Sequence, residues 1–277
     1  MPKARNGDVA IEYEVFGQGP ETILLINGLG SQMTRWPQAF CGKLTSNGFR
    51  VLRMDNRDTG LSTWFQPGQT YTLSDMGDDA MAVLDAVGVD KAHIAGVSMG
   101  GMISQVIAIE HPDRVLSLTS IMSASGAPGT MDPTPEAGAV LTVAPPNPET
   151  DREAFIAHGV ANATTIGSPG YPWPEGALRE RVIAEHGRAF NPTGSARQMA
   201  AIRAYGDRTE ALKKLAIPTV VLHGADDPLV PVRGGEATAA AIPGAELRVI
   251  PGMGHDVPPA LYDIVADAIL AAVAKTR

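Results

Sequence analysis

The six residues Gly96-Val97-Ser98-Met99-Gly100-Gly101 join two segments of different periodicity. Before them, "AHIAGV" (Ala92 to Val97) is a short apolar run of the kind that forms a buried strand. After them, "MGGMISQVIAIEHP" carries apolar residues at helical spacing until Pro112 stops it. A strand that passes into a helix within so few residues needs a sharp turn. Gly96 and Gly100 leave room for close packing around it. The turn either merely contains a serine or exists to present one. In the second case the Ser98 hydroxyl stands above the carboxyl edge of a sheet. The helix N-terminus then directs partial positive charge to the same spot, which favours a developing anion.

The rest of the chain repeats this strand and helix rhythm. "VAIEYEVFG" (Val9 to Gly17) alternates apolar and polar residues, as a half-exposed strand does, whereas "TILLING" (Thr22 to Gly28) is continuously apolar. Strand-like runs follow at Phe49 to Asp55, Ala92 to Val97, Val115 to Ser123, Pro218 to Gly224 and Ala245 to Gly252. Helical spacing marks Leu73 to Val89, with Ser74 as the expected N-cap, and Pro258 to Lys275. The pattern predicts an α/β fold whose mostly parallel sheet is covered on both faces. "GQG" (Gly17 to Gly19) reads as a hairpin-like turn, and a hairpin near the N-terminus is the expected antiparallel exception. Between about Ala124 and Lys214 the rhythm breaks. "SGAPGTMDPTPEAG" and "APPNPETD" are loop-like, and "ALRERVIAEHGRAF" and "SARQMAAIRAYGDRTEALKKL" are helix-like. A structureless loop of that length is improbable in a compact domain, so the stretch is expected to be a helical insertion. The expected division is a core of residues 1–123 and 215–277 with an insertion of residues 124–214. A length of 277 residues suits one such core with an insertion.

Charge and cysteine content narrow the partners. The net charge is −8, and the 22 Lys and Arg residues are scattered rather than gathered on one face, so no nucleic-acid partner is expected. No stretch is apolar enough to span a bilayer, and the first residues lack the apolar segment of a signal peptide. Cys41, the single cysteine, allows no intrachain disulfide and is expected to be buried in a helix. These features predict a cytoplasmic protein, a monomer or homodimer, that does not bind membranes. Paired cysteines, an H-E-x-x-H arrangement and a dinucleotide-binding loop are all missing, so neither metal nor cofactor is expected.

A serine nucleophile needs a base within hydrogen-bond reach and a carboxylate to orient that base. "LHGADDPLVP" (Leu222 to Pro231) and "IPGMGHDVPP" (Ile250 to Pro259) each follow a predicted strand, so both lie at the sheet edge that carries Ser98. His255 is the expected base. His93, His111, His158, His186 and His223 fall in strands, at a helix end or in the insertion, and are expected to be structural. The acid is Asp226 or Asp227. Asp227 is favoured because Pro228 keeps its backbone extended, which leaves Asp226 to stabilise the turn. Asp256 is a poor orienter beside His255. The oxyanion hole needs two backbone donors: Met99, directly after the nucleophile, and Leu29, in the loop "NGLGSQMTRWP" after the first buried strand. Gly28, Met33, Trp36, Tyr171, Trp173 and Met253 are the expected substrate contacts, with Phe190 also in the insertion. In "DNRDTG", Asp55, Arg57 and Asp58 read as a structural turn with internal ion pairs.

Taken together, "INGLG", "LRMDNRDTGLS", "IAGVSMGG", "LHGADDPLVP" and "IPGMGHD" resemble the α/β-hydrolase superfamily, and the match runs over nearly the whole chain. Within it the chain looks most like esterases of the aclacinomycin methylesterase type. The likeness rests on "RMDNRDTGLST", on "VDKAHIAGVSMGGMISQVIAIEHPDRVLSLT" and on the closing "IPGMGH". The resemblance implies an eight-stranded α/β-hydrolase fold with a helical cap. It implies a serine esterase acting on a small to moderate apolar ester, with Ser98, Asp227 and His255 as its triad and Leu29 and Met99 as its oxyanion donors. A lactonase, a C–C hydrolase and a cofactor-free perhydrolase would use the same triad. Many relatives carry His-Gly where this chain has Asn27-Gly28, which changes the hydrogen bonding around that loop.

Overall fold

The computed structural model describes residues 2–277. Among these, eight strands form one sheet: β1 (Lys3–Asn6), β2 (Val9–Phe16), β3 (Thr22–Ile26), β4 (Arg50–Met54), β5 (Ala92–Val97), β6 (Val115–Ile121), β7 (Thr219–Gly224) and β8 (Glu246–Ile250). The helices are α1 (Gln38–Thr45), α2 (Leu73–Ala86), α3 (Met99–Glu110), α4 (Pro135–Thr142), α5 (Arg152–Thr165), α6 (Ala177–Arg188), α7 (Gly194–Tyr205), α8 (Thr209–Leu212), α9 (Arg233–Ala241) and α10 (Tyr262–Ala274). The spatial order of the strands is β1-β2-β4-β3-β5-β6-β7-β8. Pairing is parallel from β4 through β3 to β8 and antiparallel at β1–β2 and β2–β4.

Every residue of β3 and β7 is buried, because a parallel strand covered on both faces has no solvent side. Their period of two divides the core. Ile23 and Leu25 face α1 and α10, packing with Phe40, Leu44, Val265 and Ile269. Leu24 and Ile26 face α2 and α3, packing with Leu73, Met76, Ile103 and Val106. Among the described residues no helix is long and apolar enough to cross a membrane.

Three expectations are corrected. The N-terminal hairpin is β1–β2, and β4 lies between β2 and β3, so Gly17–Gly19 begins a crossover rather than a hairpin turn. The polar sequence of β1 has no apolar alternation to announce it. Helix α2 is capped by Thr72, not Ser74. The Thr72 hydroxyl accepts the Asp75 N–H at 3.1 Å and the Asp75 carboxylate accepts the Thr72 N–H at 2.7 Å. Last, the charges of "DNRDTG" pair outward, because side chains on a tight turn diverge. Arg57 grips Asp79 of α2 at 2.6 and 2.8 Å, Asp55 pairs with Arg188 at 2.7 Å, and Asp58 with Arg197 at 2.7 Å.

Arg188 and Arg197 belong to the segment between β6 and β7, which contains α4 to α8 and, among the described residues, no strand. Helix α4 begins inside the loop-like "SGAPGTMDPTPEAG" and runs past its end to Thr142. Those ion pairs, with Arg35 holding Glu185 of α6 at 2.8 and 3.0 Å, dock the helices onto the carboxyl edge of the sheet.

Candidate active site

Ser98 follows β5 directly and stands immediately before α3. Its φ of 55° and ψ of −123° lie outside the ordinary regions for a residue with a side chain, a strain that packing must hold in place. The packing is visible at two glycines. A Cβ on Gly96 would stand 2.1 Å from the Gly100 carbonyl oxygen, and one on Gly100 would stand 2.2 Å from that of Ile26. The Ser98 N–H donates to the Ile121 carbonyl at 2.9 Å, which ties the turn to β6.

The loops after β7 and β8 bring their side chains to this turn. His255 Nε2 lies 2.9 Å from Ser98 Oγ, and His255 Nδ1 lies 2.7 Å from Asp227 Oδ2. Asp227 Oδ1 accepts the N–H groups of Leu229 and Val230, each at 2.9 Å, so the backbone sets the carboxylate's plane. With Nδ1 donating to Asp227, the neutral ring leaves its Nε2 lone pair free to accept from the serine hydroxyl. Burial works to raise the Asp227 pKa. The charge that His255 acquires on protonation, the His255 hydrogen bond and the nearby His223 ring outweigh it, holding the carboxyl well below the usual carboxylate range. His223 Nε2 lies 3.6 Å from Asp227 Oδ2 and 2.7 Å from the Val230 carbonyl.

The neighbouring acids have other partners. Asp226 Oδ2 accepts the Gly252 N–H at 2.7 Å and closes the β8 turn. Asp256 accepts from Ser168 Oγ at 2.5 Å and from the Trp173 indole at 2.6 Å. The remaining histidines are also engaged away from Ser98. His93 Nδ1 lies 2.9 Å from Ser117 Oγ and His111 Nε2 2.9 Å from Asp78. His158 meets Asn162, and His186 stacks with Phe155 and Phe190. Cys41 is buried, and burial pushes its thiol up to about 11. Among the described residues no group of three His, Cys, Asp or Glu could hold a metal ion.

The loop after β3 runs against the serine: a Cβ on Gly28 would stand 3.1 Å from Ser98 Cβ and 3.6 Å from its Oγ. Leu29 follows on that loop, and Met99 is the first residue of α3, where helical N–H groups lack intrahelical acceptors. Among the described residues neither N–H donates to a protein acceptor. Several expected substrate contacts turn elsewhere. Trp36 stacks on Phe40 at 4.9 Å, and it and Met253 belong to the core beneath α1 and α10. Met33 is fully buried. These large apolar side chains gain more from close packing inside than from lining an open cleft. Tyr171 packs on that same core beside Gly252, and Trp173 lies between Asp256 and the Arg181 guanidinium, 4.7 Å from its ring.

Sequence reading missed the groups that hold the histidine loop. The Ile166 carbonyl accepts the His255 N–H at 2.7 Å, and Ser168 Oγ accepts the Gly254 N–H at 2.9 Å while donating to Asp256. It also missed Gln198. The one available signal was a polar residue within the buried stripe Gly194, Gln198, Ala201 and Ile202 of α7.

The family model for the alpha/beta hydrolase fold matches residues 21–168. Among curated proteins, rhodomycin D methylesterase DnrP of Streptomyces peucetius is 28% identical, with 96% of this chain and 95% of that protein covered. Among solved structures, a hydrolase from Pseudomonas aeruginosa PA01 is 26% identical with a TM-score of 0.76, covering 98% of this chain and 97% of that one. The meta-cleavage product hydrolase CumD from Pseudomonas fluorescens IP01 superposes with a TM-score of 0.81 at 20% identity, over 100% of this chain and 98% of that one; at that identity the likeness is one of fold.

Proposed function

This chain belongs to the alpha/beta hydrolase fold family, and from that membership we propose that it is a serine esterase with Ser98, His255 and Asp227 as its catalytic triad. The observation that carries the reading is the unbroken line of hydrogen bonds from Ser98 Oγ to His255 Nε2 at 2.9 Å and from His255 Nδ1 to Asp227 at 2.7 Å. In the reaction His255 takes the Ser98 proton as Oγ attacks the ester carbonyl carbon. The N–H groups of Leu29 and Met99 hold the oxygen that becomes negative. The tetrahedral adduct collapses, His255 gives its proton to the departing alcohol, and an acyl group remains on Ser98. Water then attacks the acyl carbon while His255 again removes a proton; the second adduct collapses, His255 returns that proton to Ser98 Oγ, and the carboxylic acid leaves. Asp227 keeps the imidazole in the required tautomer and stabilises its cation throughout.

Residues 124–214 act as a cap over a core of residues 1–123 and 215–277, and the substrate is a small to moderate apolar ester. The methylesterase named among the relatives supports an ester bond as the target. The decisive measurement is turnover of short p-nitrophenyl esters by Ser98→Ala. Its kcat is expected to fall by ~10⁴ or more, together with loss of fluorophosphonate labelling; near-wild-type turnover would sink the reading. Simple esters, an enol-lactone, a C–C cleavage substrate and peroxide with acetate, run side by side, separate the esterase from the other chemistries of the same triad.

A further inference from the structure

The loop that carries Leu29 is held in place largely by the insertion. Gln198 of α7 is fully buried. Its Oε1 accepts the Gly30 N–H at 2.7 Å, and its Nε2 donates to the Arg57 carbonyl and to Thr59 Oγ1, each at 2.9 Å. A buried amide with both ends bonded has one orientation, so it transmits position.

The backbone makes that position matter for Leu29. Peptide units are planar, so the Gly30 N–H and the Leu29 carbonyl move as one plate. The Leu29 N–H and the Gly28 carbonyl form the preceding plate, whose carbonyl accepts the Ser31 N–H at 3.1 Å. Only the two dihedrals of Leu29 lie between the plates. With one plate pinned by the Ser31 N–H and the other by Gln198 at 2.7 Å and, more weakly, by the Ser31 hydroxyl at 3.3 Å, the direction of the Leu29 N–H is set. The far end of the loop is also tied down. The Gln32 amide donates to the carbonyls of Glu185 and Ala189 at 2.7 and 2.9 Å, and the Met33 N–H donates to Asp55 at 2.7 Å.

We infer that Gln198 is a positioning residue for the oxyanion hole: through Gly30 it aims the Leu29 N–H, so the insertion completes the catalytic apparatus as well as covering it. The inference rests on the esterase reading, with Leu29 as an oxyanion donor. Docking of the insertion has its own supports, the Asp55–Arg188 and Asp58–Arg197 pairs, which a change at Gln198 leaves in place.

The test compares wild type with Gln198→Met, Gln198→Glu and Thr59→Val. It uses p-nitrophenyl butyrate turnover, inhibition by an alkyl trifluoromethyl ketone, which forms a tetrahedral adduct on serine, and thermal unfolding. Outright loss of one donor costs ~10²–10³ in rate, so a misaimed donor in Gln198→Met is expected to lower kcat by roughly 10- to 100-fold. KM should stay within about threefold, and the ketone Ki should rise in step with the loss of kcat/KM. Thr59→Val keeps the Gly30 bond and should stay within about threefold of wild type in kcat. Gln198→Glu, kept as the neutral acid by its burial, retains an acceptor for Gly30 and an O–H donor for Arg57 or Thr59, and is expected to recover most of the kcat lost in Gln198→Met. It also serves as the readout if Gln198→Met does not fold: a Gln198→Glu enzyme slowed as much as Ser98→Ala would overturn the inference. So would a less stable Gln198→Met with unchanged kcat and ketone Ki. If wild-type turnover equals that of Ser98→Ala, the esterase reading has failed; if turnover depends on Ser98 but not on Gln198, this inference alone has.

Discussion

Asp226 and Asp227 are adjacent in sequence, yet their carboxylates meet different groups. Asp227 receives two backbone N–H groups and the His255 ring, whereas Asp226 receives the Gly252 N–H. Asp227→Asn is expected to lower kcat by ~10⁴, because an amide favours the wrong imidazole tautomer. Asp226→Asn keeps an acceptor for Gly252 and should stay within about threefold of wild type; the two kcat values measured side by side check both. The pH dependence follows from the same contacts. Asp227 is held below the usual carboxylate range, so the fold favours its ionised form. The stability it contributes is present above the unfolded carboxylate pKa and is lost only as pH falls through the lower folded value. Asp227 therefore stays ionised through the usual carboxylate range, and a pH profile of kcat/KM should show no inflection from this carboxyl there.

At the scale of elements, local rules account for most of the core and for the helix-like stretches that become α6 and α7, and they miss α4 and α5. Buried strands read as apolar runs and α2 reads from its spacing, but its cap lies one residue outside the periodic stretch, at Thr72. Thr72→Ala removes one half of a reciprocal cap and is expected to cost about 1 kcal/mol in urea unfolding, with kcat unchanged. Helix α6 reads as a helix, but not where it docks: it buries no residue completely and docks through Glu185 on Arg35 and Arg188 on Asp55. A helix held by ion pairs has little apolar stripe to mark the face that docks.

Across the whole molecule, the insertion and the core share one polar interface that reaches the loops on either side of Ser98. Gln198 and Gln32 connect it to the loop after β3, and Ile166 and Ser168 to the loop that bears His255. Asp58 anchors it. Burial works against ionisation there, but hydrogen bonds from Arg197, the Phe65 N–H and the Tyr71 hydroxyl outweigh it and hold the carboxyl below its usual range. The stability from Asp58 is accordingly present above the unfolded carboxylate pKa and fades as pH falls through the folded one. Arg197→Met removes the counter-ion of a buried carboxylate, leaving it only neutral donors, and should destabilise by about 3 kcal/mol, whereas adding Asp58→Asn should recover part of that loss in the same urea titration. By itself the sequence determined the succession of strands and helices, the sharp turn at Ser98 and the arrival of Asp227 and His255 on loops at one sheet edge. Those follow from periodicity and turn chemistry, which act over a few residues. Tertiary structure alone decided that Trp36 and Met253 pack inward, that Asp55 and Asp58 pair across the interface, and that Gln198 meets Gly30 from 168 positions away. A buried polar group must have a partner, but local sequence carries no information about which distant group the fold will bring to it.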